Sequence, residues 1–451
     1  VKGMWEEMEV IEEVIQVNGG EDIILEVLAT RHGPIINDVV DGARDVLALR
    51  WAAAEPATIL QAVIQLNRAE NWDEFREALR YWDMPSQSFV YADVEGNIGY
   101  QMPGRVPVRR NGEGLVPIPG WTDEYEWTGW LPHTALPAML NPERGFIVTA
   151  NNAVTDEAYP YYLARDFADG DRAGRIETLL EEALAAGPVS VADMTRIQFD
   201  SRSLLAESYV PLFADLSSDD PQVQAAIERL RGWDLQERED SVPATIFELF
   251  YRHLARRVLL DEVGEEHFDA VAGRIFFHEL AQQPAAVWWD DVNTPAVETR
   301  EDILLRALED AVAWLADNAG LDPAGWTWGQ LHTITLVSDP LGQSGIGPLE
   351  SLVNRGPYPV SGGSSLVNAN SWRWDNPAAV TAYPSLRMVV DLADLDRSRV
   401  VIPGGQSGHP LHRHYDDQMD LWLRGETIPL WHSRAAVEAA AQEILVLQPP
   451  E

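Results

Sequence analysis

The order of hydrophobic patterns along the chain limits the folds open to it. Residues 5–31 and 89–102 alternate apolar and polar side chains as β-hairpins do, and short strand patterns return after residue 330. Between them, residues 176–330 repeat apolar side chains three and four positions apart, with Asp and Glu between, which is typical of amphipathic helices. Because strands precede and follow the helical block, we predict the α+β class, with one sheet system interrupted by helices.

Turn residues and periodicity predict individual elements. Gly19-Gly20 marks the turn of the first hairpin, and Glu95-Gly96-Asn97 marks the turn of the second. The pattern also predicts paired helices over 58–82, an irregular crossing over 107–142, a strand leading into Asn151, helices over 175–185, 192–212, 222–233, 244–260 and 300–318, strands over 386–392 and 399–402, and a closing helix over 438–447.

Composition excludes several classes of function. The chain has 451 residues and a net charge of −39, from 72 acidic and 33 basic side chains, so its surface repels nucleic acid and anionic lipid. It has no apolar run long enough to span a membrane and no signal peptide at residue 1. Cysteine is absent, which excludes disulfides, thiolate metal sites and cysteine nucleophiles. We expect neither a nucleic-acid partner nor a membrane partner.

Three local candidates for chemistry have weak support. The Gly-x-Ser stretches at Ser344 and Ser407 lack the final glycine of a nucleophile elbow, so the histidines after Ser407 are better explained as loop residues. His412 and His414, with two aspartates after them, offer metal ligands but no supporting spacing. The many carboxylates leave a glycosidase pair open, although most of them lie on the polar faces of helices.

The pair Asn151-Asn152 is a stronger candidate. Asparagine is a poor strand former, and a buried amide needs hydrogen-bond partners, so two amides at the end of an apolar run require a reason. One reason is a turn. The other is donation to an oxyanion that develops during acyl transfer.

Segments along nearly the whole chain together resemble the penicillin acylase family of N-terminal-nucleophile hydrolases. They are, in order, TRHGPII from Thr30, NWDEF from Asn71, YADVEGNIGY from Tyr91, VPIPGW from Val116, GFIVTANN from Gly145 with the YP, DR and RI steps after it, SLRMVVDLADLDRS, GGQSGHP, and HYDDQMDLWLRGETIPLW ending at Trp431.

This resemblance implies an αββα sandwich: two stacked antiparallel sheets between helices, with a helical insertion, here incomplete at the N-terminus. It implies that residues 1–175 form the first part of the sandwich, 176–330 the mostly helical insertion, and 331–451 the return to the sandwich and the tail. It also implies hydrolysis of an acyl side-chain amide, as in penicillins or N-acyl-homoserine lactones. A small-molecule acyl amide is therefore the expected substrate.

In this family the precursor cleaves itself, and the new N-terminal Ser of the β subunit is the nucleophile. Asn151 resembles the family's oxyanion-hole asparagine, and Asn152 keeps only a structural role. Arg172 resembles an arginine that helps to hold the amine, the asparagine and the substrate.

The family often carries a structural calcium ion, which the resemblance extends to this chain. Asp166 matches a carboxylate ligand best, with Asp169 and Asp171 as competitors, and the carbonyl of Gly114 matches another ligand. Oxygen donors of this kind suit a hard cation.

The resemblance also predicts parts that the chain does not show. Its first serine, Ser86, is internal, so the nucleophile and the α subunit that should be its partner are missing. We therefore expect most of a β subunit, inactive alone, periplasmic or secreted by family analogy. The rival interpretation is a catalytically silent binding or scaffold protein with the same fold. Acyl specificity and oligomeric state cannot be predicted from the sequence.

Overall fold

The computed structural model describes residues 3–40, 42–55, 57–376 and 379–448. The chain divides into two compact units, residues 1–168 and residues 169–451, called unit 1 and unit 2 here. Each unit is described by itself. The predicted division at residues 175 and 330 stays a prediction.

Unit 1 is built mainly from short antiparallel sheets. Its sheets have the strand orders β1-β2-β3, β4-β5-β8 and β6-β7. The elements are β1 Glu9–Ile15, β2 Ile23–Thr30, β3 Gly33–Pro34, α1 Ile59–Leu66, α2 Trp72–Leu79, β4 Phe89–Ala92, β5 Ile98–Gln101, β6 Pro107–Arg109, β7 Trp127–Trp130 and β8 Ala138–Leu140.

The first predicted hairpin is confirmed as β1–β2. The strands pair without a register shift, from Glu9 opposite Ala29 to Ile15 opposite Ile23. Every residue of β1 is exposed, on both faces of the strand. Glu12 lies directly opposite Glu26, and like charges in that position destabilise a strand pair. The hairpin is thus formed by its ladder rather than by packing.

Two predictions in unit 1 are wrong. The segment 107–142 is not wholly irregular, because it contains β6, β7 and β8, each too short for alternation to be visible. The apolar run before Asn151 forms no strand, because no strand in the described part of the chain pairs with it. The second hairpin and the paired helices of 58–82 are confirmed by β4–β5 and by α1 and α2.

Unit 2 is mostly helical, with two small antiparallel sheets of order β9-β10 and β11-β12-β13. The elements are α3 Asp171–Ala186, α4 Val191–Gln198, α5 Leu204–Tyr209, α6 Pro221–Arg231, α7 Val242–Val271, α8 Arg274–Ala281, α9 Arg300–Ala319, α10 Trp328–Leu331, β9 Thr333–Leu336, α11 Gly347–Val353, β10 Arg355–Pro359, β11 Arg387–Val389, β12 Arg399–Val401, α12 Met419–Arg424, β13 Ile428–Pro429 and α13 Arg434–Ala440.

The core of unit 2 forms around α7. Every residue of α7 from Ala244 to Tyr251 is buried, so other elements must cover this part of the helix on all sides. Helices α6 and α9 do so with regularly spaced apolar side chains, as their periodicity predicts. Helix α7 is kinked at Gly264, whose φ of 70° is non-helical. Among the described residues, no helix is long and apolar enough to cross a membrane.

The closing helix is misplaced by the sequence prediction. Helix α13 begins after Ser433, whose hydroxyl caps the Ala436 amide at 3.1 Å, and it ends at Ala440. The described residues after Ala441 form no helix. The predicted helix over 438–447 is therefore wrong in both bounds, because the N-cap serine decided where the helix begins.

Candidate functional site

Asn151 lies in a tight turn of unit 1. It is exposed, and its φ of 63° is in the left-handed region. This conformation costs an L-residue roughly 1–2 kcal/mol, and asparagine is one of the few residues that adopt it routinely. The Asn151 carbonyl accepts a hydrogen bond from the Ala168 amide at 2.9 Å. The backbone of the turn is therefore held in place from a distant part of the chain.

Asn152 uses its side chain within the same turn. Its Oδ1 accepts a hydrogen bond from the Ala150 amide, and its Nδ2 donates to the Ala153 carbonyl, both at 3.0 Å. Ala150 is buried, so its amide needs that acceptor. The side chain of Asn152 thus closes the turn.

Arg172 is the second residue of α3 in unit 2. The residues before it are anchored: the Asp171 amide donates to Asp169 Oδ1 at 3.2 Å, and Asp171 Oδ2 lies 2.9 Å from His278 Nε2. The first turn of the helix is therefore fixed around Arg172. Asn151 belongs to the other unit, so the joint role of the two residues stays a prediction.

The predicted calcium ligands do not form a site on their own. Asp166 is exposed, and the competitors Asp169 and Asp171 have the partners given above. No three His, Asp or Glu side chains of the described residues converge on a metal position. Binding of Ca²⁺ at Asp166 stays a prediction.

The histidine-rich loop after residue 403 is held together by its own contacts. Ser407 Oγ accepts a hydrogen bond from the His409 amide at 3.2 Å. His414 Nδ1 lies 2.6 Å from Asp417 Oδ2, and Arg355 Nε donates to Asp416 Oδ2 at 2.5 Å. These contacts hold the loop in place.

A cavity of about 640 Å³ lies within unit 1, where two segments of the family resemblance meet. Arg31 and His32 of TRHGPII line one side, and residues 116–121, the VPIPGW segment, line another. The volume is in the range of small-molecule sites, about 300–1,000 Å³. The cavity therefore gives unit 1 a concave surface with both aromatic and charged groups.

Glu126 organises the charged groups of this cavity. Its Oε1 accepts a hydrogen bond from Arg31 and lies 2.9 Å from His32 Nε2, and its Oε2 accepts from Arg50 at 2.9 Å. Burial favours the neutral acid, but hydrogen bonds from His32 and Arg31 outweigh it and hold the pKa of Glu126 below its ordinary value. Arg50 also lies 4.5 Å above the Trp127 ring. The cavity thus contains a fixed carboxylate that sequence reasoning missed, because its partners come from distant segments.

Sequence reasoning also missed a buried acidic pair in unit 2. Glu237 and Glu248 are fully buried, and Arg274 Nη2 lies 3.6 Å from Glu248 Oε1. Burial and the neighbouring Glu248 raise the pKa of Glu237 well above its ordinary value. A signal existed in the sequence, since Glu248 is the one charged residue in the apolar run TIFELFY. Such a residue in a core helix requires a partner.

Comparison with known proteins agrees with these motifs. A family model described as penicillin amidase matches residues 1–439. The chain is 28% identical to the acyl-homoserine lactone acylase QuiP of Pseudomonas aeruginosa, over 94% of this chain and 55% of that protein. It is 31% identical to the penicillin acylase 2 proenzyme of Pseudomonas sp. (strain SE83), over 96% of this chain and 55% of the relative. The chain thus spans about half the length of the curated relatives it matches.

A solved structure is similar across the whole chain. It is the thermostable penicillin G acylase from Alcaligenes faecalis, with a TM-score of 0.68 and 21% identity, covering 100% of this chain and 83% of that one. This likeness confirms the predicted α+β class and N-terminal-nucleophile hydrolase fold.

Proposed function

Because the chain belongs to the penicillin amidase family, we propose that it forms part of a hydrolase that removes the acyl group from a linear amide. The substrates proposed are β-lactams with an acyl side chain or N-acyl-homoserine lactones, since the relatives are named for these two activities. The nucleophile proposed is the N-terminal Ser of a processed precursor, as the proenzyme name of one relative suggests.

The observation that carries the proposal is the backbone at Asn151. An exposed residue is held with φ at 63° by the Ala168 contact, while its neighbour Asn152 closes the turn. Backbone strain of this kind clusters at functional sites. It is consistent with an amide held in one position for a ligand.

The proposed chemistry starts at the N-terminal Ser. Its α-amine has an ordinary pKa of about 7.7–8.0, so near neutral pH it can accept the proton of the serine hydroxyl, directly or through water. The hydroxyl oxygen then attacks the amide carbon, and the carbonyl oxygen becomes an oxyanion. A donor placed at that oxygen contributes about 10²–10³ in rate, which is the role we assign to the Asn151 side chain.

Arg172 has the supporting role in this proposal. The hydrogen bond from the Asp171 amide to Asp169 and the contact of Asp171 with His278 fix the first turn of α3. The backbone that carries the Arg172 side chain is therefore held in place. A fixed cation can orient the amine and the substrate carbonyl at little further entropic cost.

The partner proposed is the α subunit of the same precursor, and the compartment proposed is the periplasm or the medium. Both rest on the family. The rival, a silent binding protein, has the same fold, so only an assay separates the two.

The test compares the complete gene product with the 451-residue chain. We expect the complete protein to release free amine from a phenylacetyl or fatty-acyl amide at an enzymatic rate, and the chain alone to release none. Binding without turnover by the complete protein would support the silent rival. Turnover by the chain alone would refute the N-terminal nucleophile.

A further inference from the structure

Three side chains from three helices of unit 2 form a continuous hydrogen-bonded relay. Ser208 Oγ of α5 lies 3.0 Å from His278 Nδ1 of α8. His278 Nε2 lies 2.9 Å from Asp171 Oδ2 at the start of α3. The alternative acceptor for the serine hydroxyl, the carbonyl of Leu204, is farther away at 3.5 Å. The serine and the carboxylate therefore lie on opposite edges of one imidazole ring.

The relay is anchored by contacts next to each of its members. The hydroxyl of Tyr209, the residue after Ser208, donates to the carbonyl of Phe277, the residue before His278, at 2.9 Å. Tyr209 and Phe277 are fully buried, so this bond fixes α5 against α8. Asp169, which binds the Asp171 amide, also accepts a hydrogen bond from the Ser365 hydroxyl at 2.6 Å. Catalytic groups need such rigid support.

The relay opens onto a cavity of about 760 Å³. His278 keeps 26% of its side-chain surface exposed and Asp171 keeps 12%, and Ser208 is half-buried. A bidentate ion pair between Arg175 and Asp200, with both distances at 2.9 Å, holds one wall of the cavity. A small molecule therefore has a route to the serine hydroxyl, which a purely internal network does not offer.

The protonation pattern follows from the partners. A neutral imidazole has one N–H and one lone pair, and a carboxylate only accepts. Nε2–H therefore donates to Asp171, which leaves Nδ1 to accept the proton of the Ser208 hydroxyl. This arrangement of nucleophile, base and orienting carboxylate is the one that activates serine for acyl transfer, although the two ring nitrogens are exchanged relative to the serine-protease order.

We propose that Ser208, His278 and Asp171 form a nucleophilic site for small, neutral or cationic esters, with a nucleophile other than the N-terminal Ser of the proposed amide hydrolase. Charge around the cavity determines the substrate class. Three carboxylates, those of Asp171, Glu182 and Glu207, line it against two guanidinium groups, those of Arg175 and Arg202. In a chain of net charge −39, such a cavity repels an anionic ester.

The reaction proceeds in two balanced steps. Ser208 Oγ forms a bond to the ester carbon while its proton moves to His278 Nδ1, and the carbonyl oxygen becomes an oxyanion. The bond to the alcohol oxygen then breaks, and the alcohol leaves with the proton from Nδ1. Water attacks the acyl-serine with His278 again as the base, which releases the carboxylic acid and restores Ser208.

The test uses a fluorophosphonate probe on the 451-residue chain, with the labelled peptide identified by mass spectrometry. We expect an adduct on Ser208 that Ser208→Ala abolishes. Ser407→Ala is the matched control and should leave this adduct unchanged, because the Ser407 hydroxyl accepts a hydrogen bond from a backbone amide, the His409 N–H, rather than pairing with an imidazole ring nitrogen in the described part of the chain. His278→Gln should lower the labelling rate of Ser208 about 10²-fold or more, because a general base contributes about that much.

Protection of Ser208 from the probe by two different esters distinguishes the substrate classes in the unmodified chain. Preincubation with p-nitrophenyl acetate should slow labelling of Ser208 more than p-nitrophenyl succinate does, and equal protection would refute the substrate class. No adduct on Ser208, or labelling of the His278→Gln variant at the wild-type rate with unchanged circular dichroism, would show that the relay is only structural. The peptide that carries the adduct distinguishes this outcome from a failure of the amide-hydrolase proposal, whose nucleophile is another serine.

Discussion

Replacing Asn151 by glycine separates the proposed chemistry of its amide from the requirements of its backbone. Glycine adopts a φ of 63° without the penalty of roughly 1–2 kcal/mol that an L-residue incurs, so the turn loses strain when the side chain is removed. The Ala168 contact uses the Asn151 carbonyl and is kept. We therefore expect the backbone of the turn to accept the substitution, together with a fall in kcat of about 10²–10³ from the lost oxyanion donor.

Asn152→Ala is the matched control in the same turn. It removes two hydrogen bonds and leaves the buried Ala150 amide without its acceptor, which costs about 1–3 kcal/mol of folding free energy. Its effect on kcat should be far smaller than that of Asn151→Gly. The two variants thus differ in the expected effect on turnover.

The assay uses the complete gene product. Initial rates of acyl-amide hydrolysis give kcat, and urea unfolding followed by tryptophan fluorescence gives the change in stability. A folded Asn151→Gly protein with wild-type kcat would refute the oxyanion role.

Three further predictions concern stability. Arg274→Met should cost about 3–5 kcal/mol in urea unfolding, because it leaves the buried carboxyl of Glu248 without its cation. Glu237→Gln should cost less, since burial and the neighbouring Glu248 raise the pKa of Glu237 and so favour its neutral acid, which glutamine resembles; equal losses would contradict this. Burial lowers the pKa of His332 to about 3, so on acidification the folded state takes up this proton at a lower pH than the unfolded state does. The free energy of unfolding should therefore fall by about 1.4 kcal/mol per pH unit as the pH drops from about 6.5 to about 3. His332→Phe should remove this pH dependence. Gly33→Ala should lower the melting temperature, because a Cβ there would collide with a backbone carbonyl at a φ of 127°, and an unchanged melting temperature would contradict the close approach.

The sequence predicted elements whose pattern is long enough to be repeated. Helices α6, α7 and α9 were found because each has several turns of regular apolar spacing, and β1–β2 because alternation continues on both sides of a glycine turn. Strands β6 and β8 have three residues each, too few for a period. Helix α8 was also missed, because its eight residues make only about two turns, too few for the apolar spacing to repeat.

Residues of the candidate site could likewise be predicted only where a local sequence motif contains them. Asn151, Arg172 and Asp166 could be proposed because local motifs of the family contain them. The ion cluster at Glu126 could not, because its partners Arg31 and Arg50 are far away in sequence and only the fold brings them together. Distances between side chains are a property of tertiary structure, and single-sequence patterns contain no information about them.

The exposed strand β1 has a consequence for how the chain behaves in solution. Strand β1 is the outer strand of the three-stranded sheet β1-β2-β3, so its outer edge offers N–H and C=O groups to another chain, and its exposed Val10 and Val14 favour association there. Its glutamates repel a second copy, and the pair Glu12–Glu26 reinforces this at a cost within the ladder. Salt shortens the range of that repulsion. Raising the ionic strength therefore relieves the self-repulsion of the folded chain and at the same time weakens its protection against edge-to-edge association, so colloidal stability should pass through an optimum at intermediate salt.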